Sequence, residues 1–462
     1  MQNEKQFQRE LERRPHLHRH GAMRPFFTRR GFFQLAGAGV TGSVLLDRPA
    51  FGQQVTRQGG KTIDKAKNVV FILLTGAPSH IDTFDFKKTV DTPLDILKPD
   101  TIKGIVWPAG IMPKIGNKLG EFAIARSVRS WALQHNLAQS WAQIGRSPAA
   151  ALGDIAPNIG AIVAVEKEKD RVPGQVFPTF LALNSGAAVG SGYLPAAYGP
   201  LKITPAVAGL PDTRNTDGDT RFNSKYDFLQ KLDQPLRNAA VSPYGSEMAG
   251  YDGFYQAGKA MMFNPAVDQA FRFTTAEAAK YGPSGFGNAC LNAAKVLGAR
   301  GGTRYIMITL GGWDHHTNIY TALPPLAKQL DDGVSALIDD LKANGTYDET
   351  LIVIMGEFGR TPGALTATDG RDHYIQQFAA FAGAGITGGR TLGSTDASGQ
   401  GTTDFGWSRD RDIRVEDIEA TIYSALGIDW TSVRYDDPFG RGFYYVPESN
   451  NDLYGPIHDL WA

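Results

Sequence analysis

Cysteine is almost absent from this chain: Cys290, in NACLNAAK, is the only one in 462 residues. That excludes an internal disulfide framework and any cysteine-cluster metal site, and it leaves Cys290 as a small buried residue on a predicted helix. An excess of either charge is absent too, since Lys plus Arg and Asp plus Glu both number 47. Without a basic face or a block of like charge, nothing points to a nucleic-acid partner or a charged tail. Long apolar runs are also missing. Phe32 to Leu46 falls short of the ~20 residues that span a bilayer, so no transmembrane segment is expected in the mature chain. Histidine is sparse, nine in all, which makes each position informative.

With 42% hydrophobic residues the chain can bury a large core, in one big α/β domain or two smaller ones. Residues 1–28 are polar and basic. Thr28-Arg29-Arg30-Gly31-Phe32-Phe33-Gln34 then leads into LAGAGVTGSVLL. The paired arginines before a modest apolar run resemble a twin-arginine (Tat) signal peptide, with the small-x-small site Ala50-Phe51-Gly52 predicting cleavage after Gly52. Residues 1–52 are then a signal and 53–67 a linker. His16, His18 and His20 are discounted as signal residues, and the mature chain is expected in the periplasm or outside the cell, carried by the Tat machinery.

Asn68 to Gly76, NVVFILLTG, is apolar without alternation, which suits a strand buried on both faces of a parallel sheet. Similar runs stand at 303–310 and 350–355, with shorter strands expected near 122–128, 177–183 and 378–381. Helices are expected at 131–144, 157–169, 224–236, 246–263, 286–299, 322–343 and 415–426. In 322–343, Leu323, Leu326, Leu330, Val334, Leu337, Ile338 and Leu341 recur at helical spacing. Residues 184–223 read as a long irregular excursion and the segment 431–462 as a surface wrapping. Strands alternating with helices predict an α/β fold with a doubly wound, mostly parallel sheet and helices on both faces. In such sheets ligands bind at the carboxyl ends of strands.

Three strand exits deliver metal-competent side chains. The first is GAPSHIDTFD, with His80 and Asp82. The second is GGWDHHTN, with Asp314, His315 and His316. The third is GEFGRTP followed by GRDHY, with Glu357, Arg360, Asp372 and His373. Outside the signal only six histidines remain, and four of them stand at these exits. Read one at a time, each exit is equally well explained by helix capping and surface histidines. Together they predict a shared site. Mixed imidazole and carboxylate donors favour Zn²⁺ or Mn²⁺, as one or two ions. Arg360 suits the oxygens of a transferring group, or alternatively a salt bridge to Glu357.

In this order the four motifs resemble the DUF1501 family, whose fold belongs with the alkaline-phosphatase-like and sulfatase-like superfamily. The resemblance runs from about Asn68 to Asp429. It sets Asp314 and His316 on the family's Gly-Trp-Asp-Thr-His motif, with His315 in place of the threonine and in a supporting role. It maps His80, Asp82, Asp372, His373, Glu357 and Arg360 onto the remaining motifs, and implies one domain over 68–430. Classical phosphatases place a metal-binding Asp directly after the first strand, where this chain has Thr75 and Gly76. Their nucleophile is a Ser or Thr opening a helix, and Ser127 and Ser130 are the candidates, with simple helix capping as the alternative. Cys290 lacks the setting of the formylglycine sulfatases. The resemblance implies an exported metal-dependent hydrolase of phosphate or sulfate esters, acting on a small-molecule or glycan ester. The alternatives are a non-catalytic glycan- or anion-binding protein on a degenerate hydrolase fold, and an envelope protein in which metal only holds the loops.

Overall fold

An unalternated apolar strand is stable only where helices cover both of its faces. Asn68–Thr75 (β1) is such a strand, buried along nearly its whole length. In the computed structural model, which describes residues 55–56, 59–214, 216–237 and 256–462, β1 lies inside an eight-stranded sheet. The other strands are Phe122–Arg129 (β2), Phe180–Leu183 (β3), Leu201–Ile203 (β4), Tyr305–Gly311 (β5), Thr350–Gly356 (β6), Gln376–Ala382 (β7) and Arg390–Leu392 (β8). They lie in the order β8-β2-β7-β6-β1-β5-β3-β4. β7 runs antiparallel to both of its neighbours, and every other pairing is parallel.

The helices that cover the sheet are His135–Ile144 (α1), Ile159–Lys167 (α2), Gly285–Gly298 (α3), Ile319–Ala343 (α4) and Val415–Ala425 (α5). Alternate side chains of β1 feed two cores. Val70, Ile72 and Leu74 pack with the apolar stripes of α3 and α4. Val69, Phe71 and Leu73 pack with α2 and α5. Each such side chain removed from water contributes roughly 1.5–3 kcal/mol, so the two layers hold the strand ends in fixed register. The fold is the doubly wound, mostly parallel α/β arrangement that the alternation of elements predicts.

Some boundaries differ from expectation. The stretch 184–223 is not wholly irregular, because Leu201–Ile203 pairs with β3 as the edge strand of the sheet. Three residues are too few to show a period. α1 starts at His135, four residues later than expected, because the Gln134 side chain accepts from Leu137 N at 2.7 Å and caps it. The segment after 431 adds Phe443, Tyr445, Val446, Ile457 and Leu460 to the second core. The signal at 1–52 and most of the helix expected at 246–263 lie outside the described residues. Among the described residues, no helix is long and apolar enough to cross a membrane.

Candidate metal centre

β6, β1 and β5 are adjacent in the middle of the sheet, so their C-terminal ends open side by side. The exits of β1 and β5 press together at Gly76, whose φ is +101°. A Cβ there would stand 2.6 Å from the amide nitrogen of Asp314, so only glycine fits the crossing. The exit of β6 is tied in by Arg360, which is wholly buried. Its Nε donates to Ala77 O at 3.0 Å, and its Nη1 to Arg371 O at 3.0 Å. Its Nη2 donates to Gly76 O at 2.6 Å and to Asp314 Oδ1 at 2.5 Å. All three nitrogens are engaged by the protein itself, so this guanidinium holds Asp314 and the loops, and its ion pair is with Asp314. Gly359–Arg360 pairs antiparallel with His373–Tyr374, which sets His373 opposite Arg360.

Among the described residues, one group of metal-competent side chains converges: His135, Asp314 and His373, whose ligand atoms all lie within 4.8 Å of one another. His135 Nε2 is 3.4 Å and His373 Nε2 is 4.0 Å from Asp314 Oδ1. The two imidazoles meet edge to face with centroids 4.5 Å apart, and both lean on the buried ring of Phe358.

The protonation of each ring follows from its neighbours. His373 Nδ1 lies 2.6 Å from Leu133 O, and a carbonyl only accepts, so Nδ1 carries the proton. His135 Nδ1 lies 2.6 Å from Glu357 Oε1, so it donates in the same way. In the neutral ring each Nε2 is then a lone pair, and each is buried without a hydrogen-bond partner. Two orphaned lone pairs aimed at a carboxylate fit a cation, and the acceptor behind each ring is the arrangement that orients histidine ligands. Burial, Arg360 and the neighbouring histidines, outweighing the Leu133 carbonyl, hold the His373 pKa below its ordinary value. Burial works against the charge on Asp314, but Arg360, His316 and His135 outweigh it and keep its carboxyl below the usual range. The donor set is two imidazoles and one carboxylate with a side open to water, which suits zinc and other divalent first-row ions.

His316 stands at the open side, 43% exposed, with Nδ1 2.8 Å from Asp314 Oδ1. His315 turns inward, and burial and then Arg360 push its pKa down. Glu357 sits behind His135 rather than at the centre. Its Oε1 accepts from His135 Nδ1, from Gly76 N at 3.0 Å and from Gln139 Nε2 at 3.1 Å. Burial pushes its pKa up against those three donors, and its Oε2 is buried without a partner.

Other residues singled out in the sequence lie elsewhere. Asp82 is taken by Arg371, Nε to Oδ2 at 2.7 Å with both side chains wholly buried, by Ser79 Oγ at 2.6 Å and by Tyr320 Oη at 3.0 Å. His80 Nε2 donates to Gly399 O at 2.8 Å. Asp82 thus belongs to a separate buried network that joins the first and last motifs, while His80 is tied to the loop at Gly399. Asp372 is exposed and is not in the converging group. Ser127 lies within β2, where its Oγ donates to Phe405 O at 2.7 Å, and Ser130 Oγ donates to Ala132 O at 2.9 Å. Neither opens α1.

His135 is the member of the converging group that none of the four motifs contains. Its signal is faint but physical: a strand, β2, followed after a short loop by the first residue of a helix. Arg371 was missed as well, although it stands beside His373 in GRDHY.

No curated protein matches this chain significantly. Among solved structures it is similar to the lipoteichoic acid synthase LtaP of Listeria monocytogenes, at 11% identity, 86% of this chain, 78% of that chain and a TM-score of 0.38. It is similar to the PsFucS1 sulfatase of Pseudoalteromonas sp., at 15% identity, 87% and 72% coverage and a TM-score of 0.35. A protein of the alkaline phosphatase superfamily from Vibrio parahaemolyticus aligns at 11% identity, 87% and 76% coverage and a TM-score of 0.34. Residues 66–449, which carry all four motifs and the converging side chains, match the family described as "Protein of unknown function (DUF1501)", and the chain belongs to that family.

Proposed function

We propose that this protein is an exported metal-dependent hydrolase of phosphate or sulfate esters. The observation that carries the reading is the pair of orphaned Nε2 lone pairs converging on Asp314. A divalent cation at such a site supplies Lewis acidity toward an ester oxygen and lowers the pKa of water. The chain's own groups prepare that chemistry. Glu357 and Leu133 O hold the proton on each Nδ1, and Arg360 fixes the carboxylate. His316, at the open side, would give a proton to the leaving oxygen of a bound ester. Export rests on Arg29-Arg30 and the apolar run after them.

The test is metal analysis of the purified protein together with activity on aryl phosphates and aryl sulfates. We expect about one zinc or manganese ion per chain. Hydrolysis should fall by roughly a hundredfold or more in His135→Ala and His373→Ala, as expected when a ligand to a catalytic ion is lost. A metal-free protein without hydrolysis would sink the proposal. The second reading, a non-catalytic glycan- or anion-binding protein, draws on one observation: the hydroxyls of Ser127 and Ser130 are both committed to backbone carbonyls. Bound metal with no turnover on either ester class would favour it.

A further inference from the structure

The loop that carries the metal-centre acceptor Leu133 O also carries an exposed tryptophan. Trp131 has 45% of its surface in solvent, unusual for an indole, yet it is firmly held. Its Nε1 donates to Glu416 Oε2 at 3.1 Å, and Trp141 Nε1 donates to Glu416 Oε1 at 3.0 Å. One buried carboxylate thus grips two indoles whose planes differ by 22° and whose centroids lie 6.3 Å apart. The Arg414 guanidinium lies over Trp131 at 3.8 Å from its centroid. The same group donates to Arg129 O and Ser130 O at 3.1 and 3.2 Å, clamping the backbone just before the tryptophan. On the far side, His373 Nδ1 donates to Leu133 O. The ring is therefore fixed relative to the metal centre through both its side chain and its backbone.

We infer that Trp131 is a stacking platform for a sugar ring of the substrate, next to the metal centre. This deepens the hydrolase reading by naming its substrate class as a glycan ester, and it rests on that reading for the reacting group only. Arg414 covers one face of the ring, and the C–H face of a pyranose matches the flat, immobile, apolar face opposite it. Holding that ring in advance removes the ordering cost that otherwise weakens binding. The surroundings suit hydroxyls, because Asn136 on the following turn and Gln134, whose Oε1 caps α1, are both exposed. A membrane surface fits less well. Interfacial tryptophans turn the N–H toward water and headgroups, whereas both indole N–H groups here point inward to Glu416.

The test is direct binding, measured by tryptophan fluorescence and calorimetry on the full chain in chelator, so that no hydrolysis intervenes. The probes are cellohexaose, chitohexaose and a heparin-derived hexasaccharide, with phosphatidylcholine vesicles as the lipid control. We expect at least one hexasaccharide to bind the native protein. Trp131→Ala should weaken it roughly tenfold or more. Trp131→Phe, which keeps a flat ring, should stay within a few-fold, with unchanged circular dichroism in both variants. No binding to any hexasaccharide, equal binding by Trp131→Ala, or Trp131-dependent binding to the vesicles instead would each overturn the platform. Because the measurement omits the metal, hydrolysis can fail while the platform stands, and the platform can fail while hydrolysis stands.

Discussion

At the scale of single residues, the centre depends on groups that never touch a ligand. Glu357 illustrates this. Its Oε1 gathers three donors, and the shortest of them fixes the His135 tautomer. Replacing it with glutamine keeps the size but offers a weaker acceptor and a competing N–H₂. Glu357→Gln is expected to weaken zinc binding roughly 10–100-fold, the usual effect of losing such a support, with circular dichroism unchanged. Competition against a chromophoric chelator measures it, and wild-type affinity would remove Glu357 from the orienting role. The residue scale also shows what the sequence could disclose. Asp314 and His373, both in the converging group, stand in motifs that the sequence shows, Asp314 just past the glycine turn of β5 and His373 in the loop after β6. His80 and Asp82 also follow a strand exit, yet Gly399 engages His80 and Arg371 engages Asp82 away from the converging group. Sequence spacing shows that a side chain leaves a strand end, and it does not show which way the loop then folds.

At the scale of elements, the long apolar strands and the heptad-like stripe of α4 were readable because burial imposes their periods. The short edge strand Leu201–Ile203 and the start of α1 were not, since one depends on pairing with β3 and the other on a cap from Gln134. α5 carries a further feature that no periodicity shows. Glu416 and Glu419 are both buried on it, and burial raises their pKa values from 4.5 to about 7 and about 8. Indole donors partly oppose the shift for Glu416, and Arg146 and Tyr423 oppose it for Glu419. Glu419 Oε2 has no partner, which suits a neutral carboxylic acid. Both values lie above the unfolded one, so the folded protein binds more protons than the unfolded chain between about pH 5 and 8. Their contribution to stability is greatest at the acid end of that window and is lost as pH rises through 7 and 8. The slope is at most about 1.4 kcal/mol per pH unit for each carboxyl. Glu419→Gln, neutral at every pH, is expected to flatten this fall in urea denaturation between pH 5 and 8 and to be the more stable protein at pH 8. An unchanged slope in the variant would place the proton elsewhere.

At the scale of the whole molecule, the centre joins parts of the chain that are distant in sequence. His135 opens α1, Asp314 follows β5, and His373 reaches the site through a two-residue ladder with the exit of β6. No short window of sequence contains that set, which is why the fold was legible before the ligand group was. The same separation makes a cation a cross-link between the start of α1 and the exits of the two strands that flank β1. An ion that binds only the assembled set stabilises the folded state by about 2.7 kcal/mol when its concentration is 100 times its Kd. For a chain of this size that corresponds to about 2–4 °C in the unfolding midpoint. Removing metal with a chelator is therefore expected to lower the midpoint in differential scanning fluorimetry by that amount, and added zinc should restore it. His373→Ala should unfold at one temperature with or without chelator, because it has lost one of the three strands of the link. If the variant responds to chelator as the native chain does, the ion that matters for stability sits somewhere other than His135, Asp314 and His373.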